Sequence, residues 1–267
     1  MIPMLIVDAF AERAFAGNPA SVCLLERWPA DEWLAKLAAE MNHSETAYLV
    51  PEGGDFELRW FTPAVEVDLC GHATLASAAA LYHTGRASPT QPIVFHTRSG
   101  PLTATRRGDE IELDFPVTPA EPATAPEGLL AALGVSPANV GRSKFDYLVE
   151  VAGEDVVRDM TPDFRALLDV ECRGVIVTAR SSDAEFDFVS RFFAPRAGVD
   201  EDPVTGSAHC TLAAYWHERL GKCEFRALQA SARGGIVGVR LAGNRVQLGG
   251  RATIVLEGTL TTAASPH

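Results

Sequence analysis

Two short segments of the sequence place polar side chains beside a glycine at the expected start of an apolar helix. In the first, His72 follows Gly71; in the second, Ser207 follows Gly206, and Asp202 lies shortly before it. The start of a helix offers unpaired N–H groups and a partial positive charge, and glycine lets a ligand approach the backbone closely. Such helix starts can hold a carboxylate or an enolate-like intermediate without a metal.

Both helix starts belong to an internal repeat. Segment 55–68 matches segment 187–200 at an offset of 132 residues, and the match resumes at the glycines after a three-residue insertion. Unrelated segments of this length share roughly one residue. The repeat predicts a duplicated protein with two similar lobes, whose helix starts point into one cleft. The identical pairs are Asp55/Asp187, Phe56/Phe188, Arg59/Arg191, Phe61/Phe193, Pro63/Pro195, Val67/Val199 and Asp68/Asp200.

Each of these residues also has a purely structural interpretation. The two glycines could only cap buried helices. His72 could bond to the backbone at the start of its helix, and Asp202 could form a turn before Pro203. The duplication of the glycines together with their polar neighbours favours a binding site.

The elements that position these residues follow from hydrophobic spacing and from proline and glycine signals. We expect an N-terminal lobe at 1–116, completed by the last strand at about 252–267, and a C-terminal lobe at 117–251. Four prolines in segment 116–126 indicate a linker between them. Helices are predicted at 31–41, 72–82, 164–168 and 207–220. Strands are predicted at 5–9, 46–50, 56–60, 93–105, 110–115, 175–178, 186–193, 236–241 and 251–256.

Bulk properties exclude several classes of function. The net charge of −12 argues against a nucleic-acid partner. The chain start has no room for a signal sequence, and its longest small-apolar run, 73–82, is too short to cross a membrane. Five scattered cysteines without a CxxC pair suit a reducing, cytoplasmic location. The histidine spacing indicates no metal site, and without a P-loop or GxGxxG motif we expect no cofactor.

Several segments together resemble one known family. They are 7–10, 15–20, 41–47, 67–74, 192–195, 201–208, 233–235 and 246–250. In order and spacing they are similar to the phenazine-biosynthesis isomerase-like family (PhzF), which is related to diaminopimelate epimerase. The resemblance implies an α+β fold of two pseudo-symmetric lobes, each a mostly antiparallel sheet or barrel wrapped around a central helix. It also implies an active site between the lobes and a homodimer.

The resemblance assigns roles to individual residues. Glu45, which follows a helix and opens a strand, becomes the proton shuttle, although an arbitrary glutamate would more often be a surface residue. His72, Asp202 and Ser207 bind and polarise a small carboxylate substrate beside Gly71 and Gly206. Asn18 contacts the ligand, although in a Gly-Asn-Pro sequence it could be only a turn residue.

The residues before the two glycines bear on the mechanism. Related epimerases and racemases use two thiols, one before each glycine, because the proton leaves one face of the carbon and returns on the other. Here Cys70 precedes Gly71, whereas Thr205 precedes Gly206, and a threonine hydroxyl is a very poor base. A single carboxylate suits a double-bond shift on one face, and Cys70 is either an accessory thiol or a packing residue.

Three functions stay open at this point. The first is a cofactor-independent isomerase acting on a small cyclic or conjugated carboxylic acid, with Glu45 as general acid and base. The second is an epimerase or racemase of an amino or hydroxy acid, against which Thr205 argues. The third is a non-catalytic module that binds a metabolite or a protein, because fold alone does not determine function.

Overall fold

The computed structural model describes residues 1–261 of the chain and has an α+β architecture. The helices are α1 (Asp31–Met41), α2 (Gly71–His83), α3 (Leu129–Leu133), α4 (Glu154–Asp159), α5 (Phe164–Leu167) and α6 (Gly206–Leu220), with a 3-10 turn at Pro195–Ala197. The first nine strands are β1 (Pro3–Ala9), β2 (Asn18–Leu24), β3 (Glu45–Glu52), β4 (Asp55–Phe61), β5 (Glu66–Val67), β6 (Ile93–Thr97), β7 (Gly100–Arg107), β8 (Glu110–Pro116) and β9 (Glu121–Pro122). The others are β10 (Pro137–Arg142), β11 (Asp146–Val151), β12 (Gly174–Arg180), β13 (Phe188–Ala194), β14 (Val199–Glu201), β15 (Glu224–Gln229), β16 (Gly235–Ala242), β17 (Arg245–Gly250) and β18 (Ala252–Thr259).

The contacts divide the chain into two compact units. The first unit comprises Met1–Asp114 together with 249–261, and the second comprises Phe115–Leu248. The last strand, expected at about 252–267, is β18, and residues 262–267 lie outside the described part of the chain.

The first unit is a mixed sheet around α2. Its strands pair in the order β18-β1-β2-β3-β4-β6-β7, with the short β5 against β4. Helix α2 packs against β1, β2, β3, β7 and β18, and most of its residues are buried. A helix that is apolar all round must be enclosed by other elements. Small residues such as Ala73, Ala76 and Ala80, all fully buried, let the strands approach its backbone closely.

The second unit has helices on both faces of its sheet. Its strands pair in the order β9-β10-β11-β12-β13-β15-β16. Residues of α3, α4 and α5 form one apolar core with alternate residues of β11, β12 and β13, including Val177 and Val189. The neighbouring residues Thr178 and Phe188 point to the other face, where both contact Trp216 of α6. Helix α6 is therefore buried against the face of the sheet opposite to α3, α4 and α5.

The strand pairing repeats along the chain. In the first unit β2 and β3 are parallel, β3 and β4 antiparallel, and β4 and β6 parallel. In the second unit the same sequence of pairings joins β11, β12, β13 and β15. This agreement follows the sequence repeat, because its matched segments form β4 and β13.

Some predicted elements differ from those observed. The single strand expected at 93–105 is two strands, β6 and β7, because a turn at residues 98–99 reverses the chain before Gly100, whose φ is +95°. The strand expected at 186–193 begins at Phe188. The proline-rich segment 116–126, expected to be only a linker, contains β9, which pairs with β10. The unpredicted elements are helices α3 and α4 and strands β2, β5, β10, β11, β14, β15 and β17.

Candidate active site

Three polar side chains of the first unit come together where their elements begin. Asn18 opens β2, Glu45 opens β3 and His72 is the second residue of α2. Strands β2 and β3 run parallel, with Ala20 opposite Glu45, so the side chains at their N-terminal ends lie at one edge. Helix α2 packs against both strands and brings His72 to the same edge. Positions far apart in the sequence therefore form one cluster.

One hydrogen bond and one close approach define this cluster. The Nδ2 amide of Asn18 lies 3.2 Å from Nδ1 of His72, and Nε2 of His72 lies 3.3 Å from Oε2 of Glu45. With Asn18 donating to Nδ1, the ring proton is assigned to Nε2, which faces the Glu45 carboxylate. The Glu45 side chain is 18% exposed, whereas His72 is almost fully buried. The cluster thus presents a carboxylate that lies against a buried histidine and remains reachable from solvent.

The His72 imidazole is neutral in this environment. Burial, with a smaller contribution from the nearby His43, lowers its pKa to about 3. His43 itself is held by Ser21, whose Oγ lies 2.8 Å from Nδ1 of His43. A neutral His72 can orient a carboxylate through its N–H without forming a full ion pair with it.

The turn before Asn18 is fixed by two residues to which the sequence analysis assigned no individual role. Asp8, which is buried, accepts a hydrogen bond from the Phe15 backbone N–H at 2.6 Å. Gly17 has φ +63°, and a Cβ there would lie 2.1 Å from the carbonyl oxygen of Ala9. Only glycine, which has no Cβ, adopts this positive φ readily and also leaves room for the Ala9 carbonyl oxygen. Asp8 and Gly17 therefore set the position from which Asn18 reaches His72.

Cys70 adjoins the same cluster. Its Sγ lies 3.5 Å from Nδ1 of His72, and its side chain is buried. Glu45, Cys70 and His72 each offer one potential ligand atom, and these three atoms lie within 4.8 Å of one another. Thiolate, imidazole and carboxylate are the donor types that bind Zn²⁺. The histidine spacing alone gave no sign of this grouping, because the fold assembles it from separate elements.

In the second unit, Thr205 and Asp202 form a closed network at the start of α6. The Thr205 hydroxyl donates to Oδ2 of Asp202 at 2.5 Å. The Thr205 backbone N–H donates to the side-chain oxygen of Gln229 at 2.8 Å, and the Gln229 amide donates to the Asp202 backbone carbonyl at 2.7 Å. Gln229 is fully buried and ends β15. This glutamine was not predicted, and no motif in the sequence indicates it.

Ser207 contacts a second unpredicted residue, Arg173. Nη2 of Arg173 donates to the Ser207 hydroxyl oxygen at 3.0 Å. The same guanidinium forms a two-point salt bridge with Asp146, in which Nε donates to Oδ1 at 2.8 Å and Nη2 donates to Oδ2. Asp146 is buried, and burial raises its pKa despite the opposing effect of Arg173. Gly206 begins α6 and is buried.

The strand registers show which residues occupy matching places in the two units. Thr46 pairs with Phe61 in the first unit, and Val175 pairs with Phe193, the repeat partner of Phe61, in the second. Gly174 therefore stands at the place of Glu45. A Cβ on Gly174 would lie 2.3 Å from the Phe192 ring. The second unit thus has no room for a carboxylate at this place.

Comparison with known proteins identifies relatives across the whole chain. A family model described as "Phenazine biosynthesis-like protein" matches residues 7–258. An uncharacterized isomerase from Halalkalibacterium halodurans is 51% identical, over 97% of this chain and 98% of that protein. A crystal structure of a phenazine biosynthesis protein of the PhzF family from Enterococcus faecalis superposes with a TM-score of 0.92 at 42% identity, covering 96% of this chain and 98% of that one.

A more distant structural neighbour shares the fold alone. A probable proline racemase from Agrobacterium radiobacter superposes with a TM-score of 0.63 at 14% identity, over 98% of this chain and 93% of that one. The chain belongs to the phenazine biosynthesis-like family, and it is an enzyme of the isomerase type. Its fold is the α+β fold expected from the resemblance. Among the described helices, none is both long and apolar enough to cross a bilayer.

Proposed function

We propose that this protein moves a proton along a small unsaturated carboxylate and so shifts its double bond, with Glu45 as the general acid and base. The observation that carries this proposal is the Glu45–His72 pair, in which a neutral, buried imidazole faces a carboxylate that stays reachable from solvent. A carboxylate held in one orientation can accept a proton from one carbon and return it to another.

The proposed proton transfer needs no cofactor, because each bond that breaks is matched by a bond that forms. The Glu45 carboxylate removes the proton from the carbon next to the substrate carboxylate, and the electron pair of that C–H bond enters the conjugated system. The protonated Glu45 then delivers the same proton to the far carbon of the former double bond, on the same face. One C–H bond breaks, one forms, and Glu45 returns to its starting state.

Within the first unit, His72 and Asn18 have supporting roles in this proposal. Nε2 of His72 faces one oxygen of Glu45 at 3.3 Å, and the other oxygen of Glu45 is the one proposed to act on the substrate. Asn18 fixes the histidine in the tautomer that makes this possible. The backbone at Gly71 supplies N–H groups to the substrate, and Asp202, Gly206 and Ser207 are proposed as further substrate contacts.

Epimerisation is the weaker alternative because it needs a second base on the opposite face of the carbon. The Thr205 hydroxyl replaces the second thiol and donates its proton to Asp202. Gly174 occupies the place that corresponds to Glu45. Both observations support a reaction with one acid–base group. A homodimer and a cytoplasmic location stay predictions from the resemblance and the composition.

Proton exchange in D₂O tests the proposal directly. Cyclohex-2-ene-1-carboxylate and a panel of related acids are incubated with the protein, and NMR follows both deuterium uptake and double-bond migration. Glu45→Gln is expected to slow the exchange by about a hundredfold or more. Glu52→Gln, at the exposed end of the same strand, is the matched control and should exchange like the wild type.

Each other outcome points to a different function. Exchange that persists in Glu45→Gln would move the base to another group, with Cys70 the first to test. Exchange at a single carbon with loss of optical purity would establish the epimerase. Binding of an acid without any exchange by the wild type would establish a binding module and refute the isomerase.

A further inference from the structure

The cluster of Glu45, Cys70 and His72 brings three kinds of metal-binding side chain together within the first unit. One potential ligand atom from each side chain lies within 4.8 Å of the other two. Four-coordinate Zn²⁺ forms bonds of about 2.0–2.3 Å, which places its ligand atoms about 3.3–3.8 Å apart. Glu45 is the most exposed of the three residues. A shift of about 1 Å, which a change of side-chain rotamer supplies, therefore brings the three atoms to zinc-binding distances.

The buried imidazole of His72 has one nitrogen whose bonding is incomplete. Its side chain is only 6% exposed, and Nε2 has no hydrogen-bond partner among residues 1–261, although Oε2 of Glu45 lies 3.3 Å away. A buried polar atom without a hydrogen bond is costly and uncommon in native proteins. A metal ion that accepts the Nε2 lone pair would satisfy this atom.

Asn18 is placed to support a metal-bound His72. A histidine that binds a metal through Nε2 carries its proton on Nδ1 and usually donates it to an oxygen atom. The Asn18 amide lies 3.2 Å from Nδ1 of His72. A half-turn of the amide exchanges its nitrogen for its oxygen, which then accepts the Nδ1 proton. The same two residues can therefore serve both tautomers of the imidazole.

The second unit has no corresponding set of ligands. The places of the three side chains are taken there by Gly174, Thr205 and Ser207. Zinc sites are built from thiolates, imidazoles and carboxylates, and none of these is present at the matching positions. The repeat therefore predicts one metal site per chain, made by the first unit alone.

We propose that Glu45, Cys70 and His72 form a Zn²⁺ site and that Zn²⁺ bound there inhibits the enzyme reversibly. Cys70 loses its thiol proton when the metal binds, and His72 binds through Nε2. The fourth position is left for water. The inhibition rests on the proposed function, because a Glu45 carboxylate bound to Zn²⁺ cannot accept a proton from a substrate. The metal site itself does not depend on that function.

Cobalt spectroscopy tests the metal site on the full-length, reduced protein. CoCl₂ is titrated into the protein, and ZnCl₂ is then added in competition. The wild type should show a thiolate-to-cobalt charge-transfer band that saturates at about one equivalent per chain and disappears as Zn²⁺ displaces Co²⁺. Cys70→Ser should lack this band and bind Zn²⁺ about a hundredfold or more weakly, because even the outer partners of zinc ligands contribute about 10–100-fold.

Cys223→Ser controls for binding at the surface. Cys223 is exposed, and its Sγ lies 3.7 Å from Nδ1 of His217, so this pair could also attract the metal. The variant should keep the charge-transfer band and the Zn²⁺ affinity. Cys70→Ala is a second small substitution for the buried position, should serine fail to fold there. A wild type without the band, or a band that persists in a folded Cys70 variant, would overturn the site.

Proton exchange in D₂O separates the metal site from the proposed function. Saturating ZnCl₂ should abolish the exchange of a carboxylate by the wild type, and EDTA should restore it. Exchange that continues while the cobalt band shows a filled site would overturn the inhibitory role. A wild type that shows the band but exchanges no acid would support the metal site and count against the proposed function alone.

Discussion

His209 makes the stability of the second unit sensitive to acid. Its ring is fully buried in α6, where Nδ1 donates to the Thr205 backbone carbonyl at 2.8 Å and the ring packs near Phe188. Burial lowers the pKa of His209 from 6.5 to about 4. Nε2 has no hydrogen-bond partner among the described residues, so nothing there receives the proton that a charged ring would carry.

The direction of the effect follows from which state takes up the proton first. Below about pH 6.5 the unfolded chain binds a proton at this histidine while the folded chain does not. Acid therefore stabilises the unfolded state relative to the folded state. The contribution of His209 to stability is complete above pH 6.5 and is lost as the pH falls toward 4. Linkage gives a slope of up to about 1.4 kcal/mol per pH unit and a loss of about 2 kcal/mol at pH 5.

Urea unfolding followed by tryptophan fluorescence measures this loss. His209→Asn keeps an amide that can donate to the Thr205 carbonyl and removes the titrating ring. The variant should be less stable than the wild type at neutral pH, and this difference should shrink by about 2 kcal/mol between pH 7 and pH 5. Leu212→Ala, a buried change on the same helix that removes no titrating group, should show a constant difference. A constant difference for His209→Asn would refute the assigned burial effect.

Two glycine substitutions test the backbone that positions the two clusters. Gly17→Ala forces a left-handed residue against the Ala9 carbonyl and should lower the free energy of unfolding by about 2 kcal/mol or more, measured by urea unfolding. An unchanged free energy of unfolding for Gly17→Ala would contradict the close approach of residue 17 to the Ala9 carbonyl oxygen. Gly174→Ala places a methyl group against the Phe192 ring and should cost about 1–3 kcal/mol in the same measurement. Adding Phe192→Leu should recover part of that loss, and no recovery would show that the ring is not the obstacle.

The sequence was sufficient to predict the parts of the fold that carry strong local signals. Helices α2 and α6 were predicted because each has an apolar run of small residues that starts at a repeated glycine. The segment 129–159 gave no such signal, because α3 and α4 have only five and six residues and owe their burial to packing against the sheet. Strand β2 consists largely of small residues and shows no alternation, since nearly all of its positions are buried.

The residues of the candidate site also differ in how far the sequence could predict them. Glu45 and His72 were identified as residue types within motifs, but their 3.3 Å contact depends on the pairing of β2 with β3 and on the packing of α2. Arg173, Asp146 and Gln229 belong to no motif, and each meets its partner across at least 24 residues of chain. Such contacts are set by the tertiary structure alone, so one sequence could not reveal them.

The divergence of the two copies supports our proposal that one acid–base group moves the proton. A reaction on a single face needs one group that moves the proton and a separate group that holds the substrate. In the first unit the strand-start position carries Glu45, whereas in the second Gly174 makes room for the Phe192 ring, against which Arg173 is ordered. Thr205 is likewise committed to Asp202 rather than left as a base. The two copies have therefore diverged at matching places while keeping their strand pairing, and this divergence supports our proposal of double-bond migration rather than inversion at carbon.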